Sequence, residues 1–288
     1  MVSILTSKSP FISSTTAGSQ ADSRTLFSRS DSDLISALTA YQAWKAAKTA
    51  GSAQAFCRKN RLSDQNFGLI EEQKIQLLVY LVDAGLAALE REESTVLNRA
   101  RTRTSTGQHF YQMPPRFNRN VDDGTLCSIV AMAFYPRILV RQGNGWRNIY
   151  TTQYVTLTPR SVNYGSLRPP KWLSFYEAVQ TRTGNLNVFE STRIPESALA
   201  TLLGDAEFKL FSGVIALDGG RIRLSVRYWK QLLALKILRG RILAVLDHCY
   251  RQLSEPLSES AQKWVKLWLK TQTSQSETRQ SSLGVNLG

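Results

Sequence analysis

From Asp122 onward the apolar residues stop recurring at helical spacing and gather into short strand-like runs, and this change of period constrains the fold most. The runs are Arg137–Gln142, Trp146–Thr151, Tyr154–Leu157, Leu173–Arg182, Asn187–Glu190, Lys209–Leu217 and Arg221–Ser225. Turn residues cut them apart, among them Gly143-Asn144-Gly145, Arg168-Pro169-Pro170 and Gly219-Gly220. Five or six strands over about ninety residues suit a small barrel. A short apolar helix at Leu126–Phe134 precedes them, and a long amphipathic helix over about Val226–Leu253 closes the segment. In that helix Trp229, Leu232, Leu233, Leu243 and Leu246 are the core candidates. A short helix around Trp264 and Trp268 follows, and the Ser/Gln-rich residues 271–288 are expected to be disordered.

Before Asp122 the pattern is helical. Ser32 or Asp33 can cap a helix carrying Leu34, Ile35, Leu38, Tyr41 and Trp44. Further helices are expected over Ser52–Asn60 and Gln65–Leu89, the second meeting Gly85 near its end. Arg99, Arg101, Arg103, Arg116 and Arg119 then mix with Ser, Thr and two prolines, which reads as an exposed basic linker. The chain is therefore expected to be α+β, with a small helical domain at 1–93, a flexible linker at 94–121, a barrel domain at 122–253, and a helix and tail at 254–288.

The charge is strongly positive, with 36 Lys and Arg against 22 Asp and Glu, a formal +14. Residues 121–252 hold 17 basic and 9 acidic side chains and are also rich in aromatics. Cations release counterions from phosphates and aromatic faces stack bases, so this mixture suits single-stranded nucleic acid. Charge alone leaves a merely cationic surface open. Cys57, Cys127 and Cys249 are widely spaced, and with His109 and His248 they form no zinc-ligand pattern. They read as structural residues of a reducing compartment. The polar N-terminus has no signal-peptide core and no run reaches membrane-spanning length, so an intracellular protein without membrane contact is expected, cytoplasmic or nuclear.

No G-x-x-x-x-G-K-[ST] phosphate loop, D-E-x-H box, G-x-S-x-G elbow or H-E-x-x-H helix occurs in the sequence. The pairs Glu71-Glu72 and Glu92-Glu93 fall on helical stretches and read as solvated faces. No enzyme activity is expected of this chain alone, and no cofactor or metal.

Several segments, in order, resemble the C-terminal region of DEAH/RHA-type ATP-dependent RNA helicases. Ser9-Pro10-Phe11, Ser32-Asp33-Leu34 and Ala40–Trp44 are similar to the opening of the helicase-associated, or ratchet-like, domain. Ala55-Phe56-Cys57-Arg58-Lys59-Asn60 with Leu62-Ser63 is similar to its continuation. Met132–Pro136, Pro159–Asn163, Trp172–Thr181, Ser191–Ile194 and Leu202-Leu203-Gly204 resemble motifs of the family's OB-fold domain. The chain departs from the pattern at Thr158, where the family has His, at Asp205, where it has Gly, and at Arg221-Ile222, where an aromatic is usual.

The resemblance implies a partial helicase-associated domain joined to an OB-fold-like barrel, an accessory module that guides single-stranded or structured RNA. ATP and Mg would belong to RecA-like motor domains acting in cis or trans, and a G-patch or ribosomal protein is an expected partner. The match begins inside the helicase-associated domain, so a truncated product or one without its motor is expected. On this reading Arg160, Ser161 and Asn163 contact RNA from a loop, with Thr181, Arg182 and Thr183 at a strand end, and Arg58 and Lys59 as a phosphate clamp. Each has a plainer alternative: Ser161 and Asn163 holding a turn, Arg58 and Lys59 on a solvated helix edge. Trp146 and Tyr150 suit either base stacking or the core, whereas Tyr41, Trp44, Phe56 and Trp172 are assigned to the core. The competing reading is a motorless interaction platform, with the barrel edge and the Trp264/Trp268 helix docking a ribosomal or activator protein.

Overall fold

The computed structural model describes residues 1–12, 23–102, 121–182, 184–252 and 255–281. Contacts divide the chain into two compact units. One is Met1–Arg29 with Leu34–Asn120, and the other is Ser30–Asp33 with Val121–Gly288.

The first unit is helical: α1 (Val2–Leu5), α2 (Asp33–Thr49), α3 (Ala53–Asn60), α4 (Asp64–Asp83) and α5 (Arg91–Thr102). Its core follows the helical spacing of the sequence. Trp44 of α2 stacks on Phe67 of α4 with centroids 5.1 Å apart, and Tyr41, Ala40, Cys57, Leu62 and Ile70 pack around them. The polar atoms of these aromatics are satisfied. The Trp44 indole donates to Asp64 at 2.6 Å, and the Tyr41 hydroxyl donates to Glu71, which also takes the Lys74 ammonium at 2.7 Å. Ser63 caps α4 by accepting from the Asn66 amide at 3.2 Å. Phe56, expected in the core, packs against it from a half-buried position. Helix α5 occupies residues 91–102, the start of the stretch expected as a flexible linker, while residues 103–120 lie outside the described residues.

The second unit holds the barrel. Strands β1 (Ile138–Gln142), β2 (Gly145–Asn148), β3 (Tyr154–Leu157), β4 (Trp172–Gln180) and β5 (Leu186–Arg193) close in the order β1-β2-β3-β5-β4, β4 pairing back onto β1. All neighbours are antiparallel except β3 and β5, which run parallel. Gly143 has φ 58° at the first central position of the two-residue β1–β2 turn, the conformation a type II′ hairpin asks of glycine. Leu139, Trp146, Val155, Leu157, Leu173, Phe175 and Val188 fill the barrel. This α+β architecture with a closed five-strand barrel is consistent with an OB-fold-like barrel.

The remaining strands do not join it. The single run expected over Lys209–Leu217 is two strands, β6 (Ala206–Lys209) and β7 (Val214–Leu217), folded about Gly213 at φ 66°. With β8 (Ile222–Ser225) they make a separate three-stranded sheet. Its apolar face shares a second core with α6 (Asp123–Phe134), α7 (Glu196–Thr201), α8 (Trp229–Arg251) and α9 (Glu259–Ser281). Trp172 belongs to this core and Leu173 to the barrel, so the first half of β4, Trp172–Phe175, is covered on both sides while its second half is exposed. Helix α9 extends through Ser281, beyond the point where disorder was expected to begin.

Two polar centres, one buried and one half-buried, hold the second unit. Asp33 is 0% exposed and its carboxylate accepts from the amides of Val162 and Ser191, both at 2.8 Å, and from the hydroxyls of Ser161 and Ser191. At the second centre Asp218 accepts from the Asp205 amide at 2.8 Å and the Tyr135 hydroxyl at 2.7 Å, with the Tyr150 hydroxyl a third donor. A Cβ on Gly204 would come within 2.6 Å of that carboxylate, and Gly204 has φ +59°. The buried Arg239 guanidinium donates to the carbonyls of Ala200, Leu203 and Gly204 just after α7, capping that helix from across the core.

Replacing Asp33 by Ala leaves buried amides and hydroxyls unsatisfied, and a loss of about 3 kcal/mol is expected in urea unfolding. Asp33→Asn keeps one acceptor oxygen and should fall between. Burial alone would raise the Asp218 carboxyl, but hydrogen bonds from Tyr150, the Asp205 amide and Tyr135 bring it below the ordinary aspartate value of 3.8. A carboxyl lowered in the folded state contributes stability above its unfolded value and loses it as pH falls through the folded one. Wild type should therefore lose melting temperature more steeply than Asp218→Asn below about pH 4.

Candidate nucleic-acid interface

Alternation along the barrel strands separates an inward from an outward set. Trp146 pairs with Val155 and both point into the barrel, so the adjacent pair Arg147 and Tyr154 points outward. By the same register Leu157 and Val188 are inward, and Thr156, Asn187 and Val179 form the next outward row across β3, β5 and β4. Tyr154 is 63% exposed. The Arg147 guanidinium is steadied by donating to the Thr152 carbonyl at 3.1 Å. The result is a strip with an exposed ring, a cation beside it and the Thr156–Asn187–Val179 row behind. From Tyr154 to Leu157 it runs about 10 Å at ~3.3 Å per residue.

The residues chosen from sequence fall into three groups. Arg160 and Arg182 are exposed. Arg182 stands in the hairpin joining β4 to β5, near the Tyr154 end of the strip because Gln180 pairs with Leu186 and Leu186 with Val155. Thr181 closes that hairpin, its amide and hydroxyl both donating to the Asn185 carbonyl at 2.8 and 3.1 Å, and Thr183 lies outside the described residues. Arg160 sits in the loop after β3, at the other end.

Ser161 and Asn163 are buried, and the Ser161 hydroxyl and the Asn163 side-chain NH2 are engaged internally. The Ser161 hydroxyl donates to Asp33, and the Asn163 amide donates to the Asp31 carbonyl at 3.1 Å and to Ser191 at 2.8 Å. Thr158 is also buried and its hydroxyl accepts from the Arg160 amide at 3.1 Å. This loop is thus a staple from which one cation, Arg160, projects. Arg58 and Lys59 belong to the other unit, exposed in the last turn of α3, where positive charge complements the helix dipole.

Trp146 and Tyr150 divide as well. Trp146 is core, with the Arg141 guanidinium 5.3 Å from its ring. Tyr150 is half-buried, tethered through its hydroxyl to Asp218 and covered by Arg221 at 5.6 Å. Neither offers an open face. Trp268 is buried too, its indole donating to Thr201 at 2.9 Å, and Arg241 lies over Trp264 at 5.8 Å, so the helix expected to dock a partner packs within its own unit. Trp229, expected in the core, is 58% exposed.

Arg147 and Tyr154 were not singled out from the sequence. The signal was present in Tyr154-Val155-Thr156-Leu157, whose strict alternation puts Tyr154 and Thr156 opposite two aliphatic residues.

The Cys57 and Cys127 thiols are buried. Burial pushes Cys57 up to about 11 and Cys127 up to about 12, away from thiolate chemistry near neutrality. His109 lies outside the described residues. Among the described residues no helix is long and apolar enough to cross a membrane.

The closed barrel, the smaller sheet and the helices around them define the chain as an α+β protein. No protein-family model matches it. Its sequence is similar to the DExH-box ATP-dependent RNA helicase DExH1 of Arabidopsis thaliana, 25% identical over 247 residues, which cover 83% of this chain. The match spans 22% of that helicase's length. This similarity supports a relation to the DExH-box RNA helicases.

The staple role of Ser161 and Asn163 separates from surface contact by experiment. Asn163→Ala is expected to lower the free energy of unfolding, whereas Arg160→Ala should leave it within about 0.5 kcal/mol of wild type, as for an exposed side chain.

Proposed function

We propose that this chain is an accessory RNA-binding module of a DEAH-box ATP-dependent RNA helicase, guiding single-stranded RNA across the outward face of its barrel. The observation that carries the reading is the Arg147–Tyr154 pair, flanked by Arg182 at one end and Arg160 at the other. The exposed ring stacks a base and the guanidinium groups take phosphates, an arrangement that grips a strand with little sequence preference. The similarity to the plant helicase and the charge of +14 support the same reading.

The module has no hydrolytic step of its own. ATP and Mg chemistry belongs to RecA-like motor domains acting in cis or trans, and a G-patch or ribosomal protein docks as the activator. Such a role is intracellular, in the cytoplasm or the nucleus.

Fluorescence anisotropy with a short oligo(U) tests the reading. Binding is expected at low salt and should fall steeply as salt rises. Tyr154→Ala should weaken it about tenfold, the effect of one lost stacking contact. Arg147→Ala and Arg182→Ala should each lower the slope of log K against log salt by about 0.7, one single-strand phosphate. Absence of binding by wild type at low salt would sink the proposal, as would equal binding by a variant with Arg147, Tyr154 and Arg182 all changed to Ala.

A further inference from the structure

The second unit carries another cationic and aromatic surface, built on the three-stranded sheet and the start of α8. Phe211 lies in the β6–β7 turn and its side chain is fully exposed. The chain leaving β8 returns to this turn, with the Val226 amide donating to the Gly213 carbonyl at 2.7 Å. That contact is close because Gly213 has no side chain: a Cβ there would lie 2.8 Å from the Val226 carbonyl oxygen. It brings the next residues, Arg227, Tyr228, Trp229 and Lys230, beside the turn. Tyr228 and Trp229 are both more than half exposed.

The cations are matched to the rings. The Arg227 guanidinium lies 5.3 Å from the centre of the Tyr228 ring, and the Lys230 ammonium 5.9 Å from that of Trp229. Lys209 adds a third positive charge at the turn, in a solvent-exposed pair with Glu207 at 3.4 Å. Three exposed rings on one short stretch of surface are not required by the core, which in this region is completed by Leu224, Leu232 and Ile215. Aliphatic side chains would suit an apolar protein partner. Flat rings interleaved with cations suit a ligand that alternates π faces with negative charge.

We infer that Phe211, Tyr228 and Trp229, with Arg227 and Lys230, form a second contact for single-stranded RNA, separate from the barrel strip. The inference rests on the reading of the chain as an RNA-binding module and extends it. Bases stack on the rings and phosphates lie against the two cations. A strand long enough to engage both surfaces is held at two points on the same folded unit, which raises affinity through effective concentration.

The test uses the full chain with two oligo(U) probes, one of about 8 nucleotides, within the range of a single small barrel, and one of about 24. The double variant Phe211→Ala with Trp229→Ala should bind the short probe as wild type does and the long probe about tenfold more weakly. Ultraviolet cross-linking of wild type to the long probe, read by mass spectrometry, should mark the 209–230 region as well as the barrel. The cross-links decide the matter even where the variant fails to fold. Unchanged binding of the long probe, with cross-links confined to the barrel, overturns this second site and leaves the first reading standing. No binding of either probe by wild type removes both. If the variant instead loses co-sedimentation with phosphatidylserine-containing vesicles while keeping long-probe affinity, the patch serves a lipid surface and the inference is wrong.

Discussion

A single buried carboxylate organises the loops on which the barrel depends. Asp33 comes from far upstream in the sequence, yet Ser30–Asp33 counts with the barrel unit, and its two oxygens collect donors from the loop after β3 and from β5. A charge so placed is tolerable only because four donors surround it. Around it the network widens: Ser32 meets Thr192 at 2.9 Å, and Asn163 joins Asp31 to Ser191. These bonds fix the loop that carries Arg160 and the strand that pairs with β3, so the outward strip inherits its geometry from an inward polar centre.

The Asp218 centre does the same for the smaller sheet. It locks Tyr135 and Tyr150, seats the Asp205 amide and leaves room for no side chain at Gly204. Asp205 meets Asp218 through its backbone, its amide donating to the Asp218 carboxylate and its carbonyl accepting from the Asp218 amide. Arg239 completes the region by capping α7. Both carboxylates follow one rule: each sits where several donors converge on it.

Much of the architecture was legible in the sequence. The helical spacing of Leu34, Tyr41 and Trp44 and the alternation in β3 follow from side-chain periodicity alone. The grouping of strands was not. Local pattern says that 209–217 is extended, but it does not say that the chain reverses at Gly213, or that β6–β8 leave the barrel for a sheet of their own. Trp229 shows the same limit. Its position in an apolar helical run suggests the core, but as the first residue of α8 it precedes the turn whose side chains face inward.

The candidate site divides along the same line. Composition suited a polyanion as ligand but left a merely cationic surface open, because net charge and aromatic content are sums over residues and need no coordinates. Which residues meet that ligand depends on which face each one occupies, and that is decided only when strands pair and close. Ser161 and Asn163 looked like surface donors because short polar residues on a loop usually are. A carboxylate 128 positions away in sequence draws Ser161 inward, and Asn163 turns in with it. Tyr154 and Arg147 lie outward for the converse reason: closing the barrel turns Trp146 and Val155 in, and a strand has only two faces.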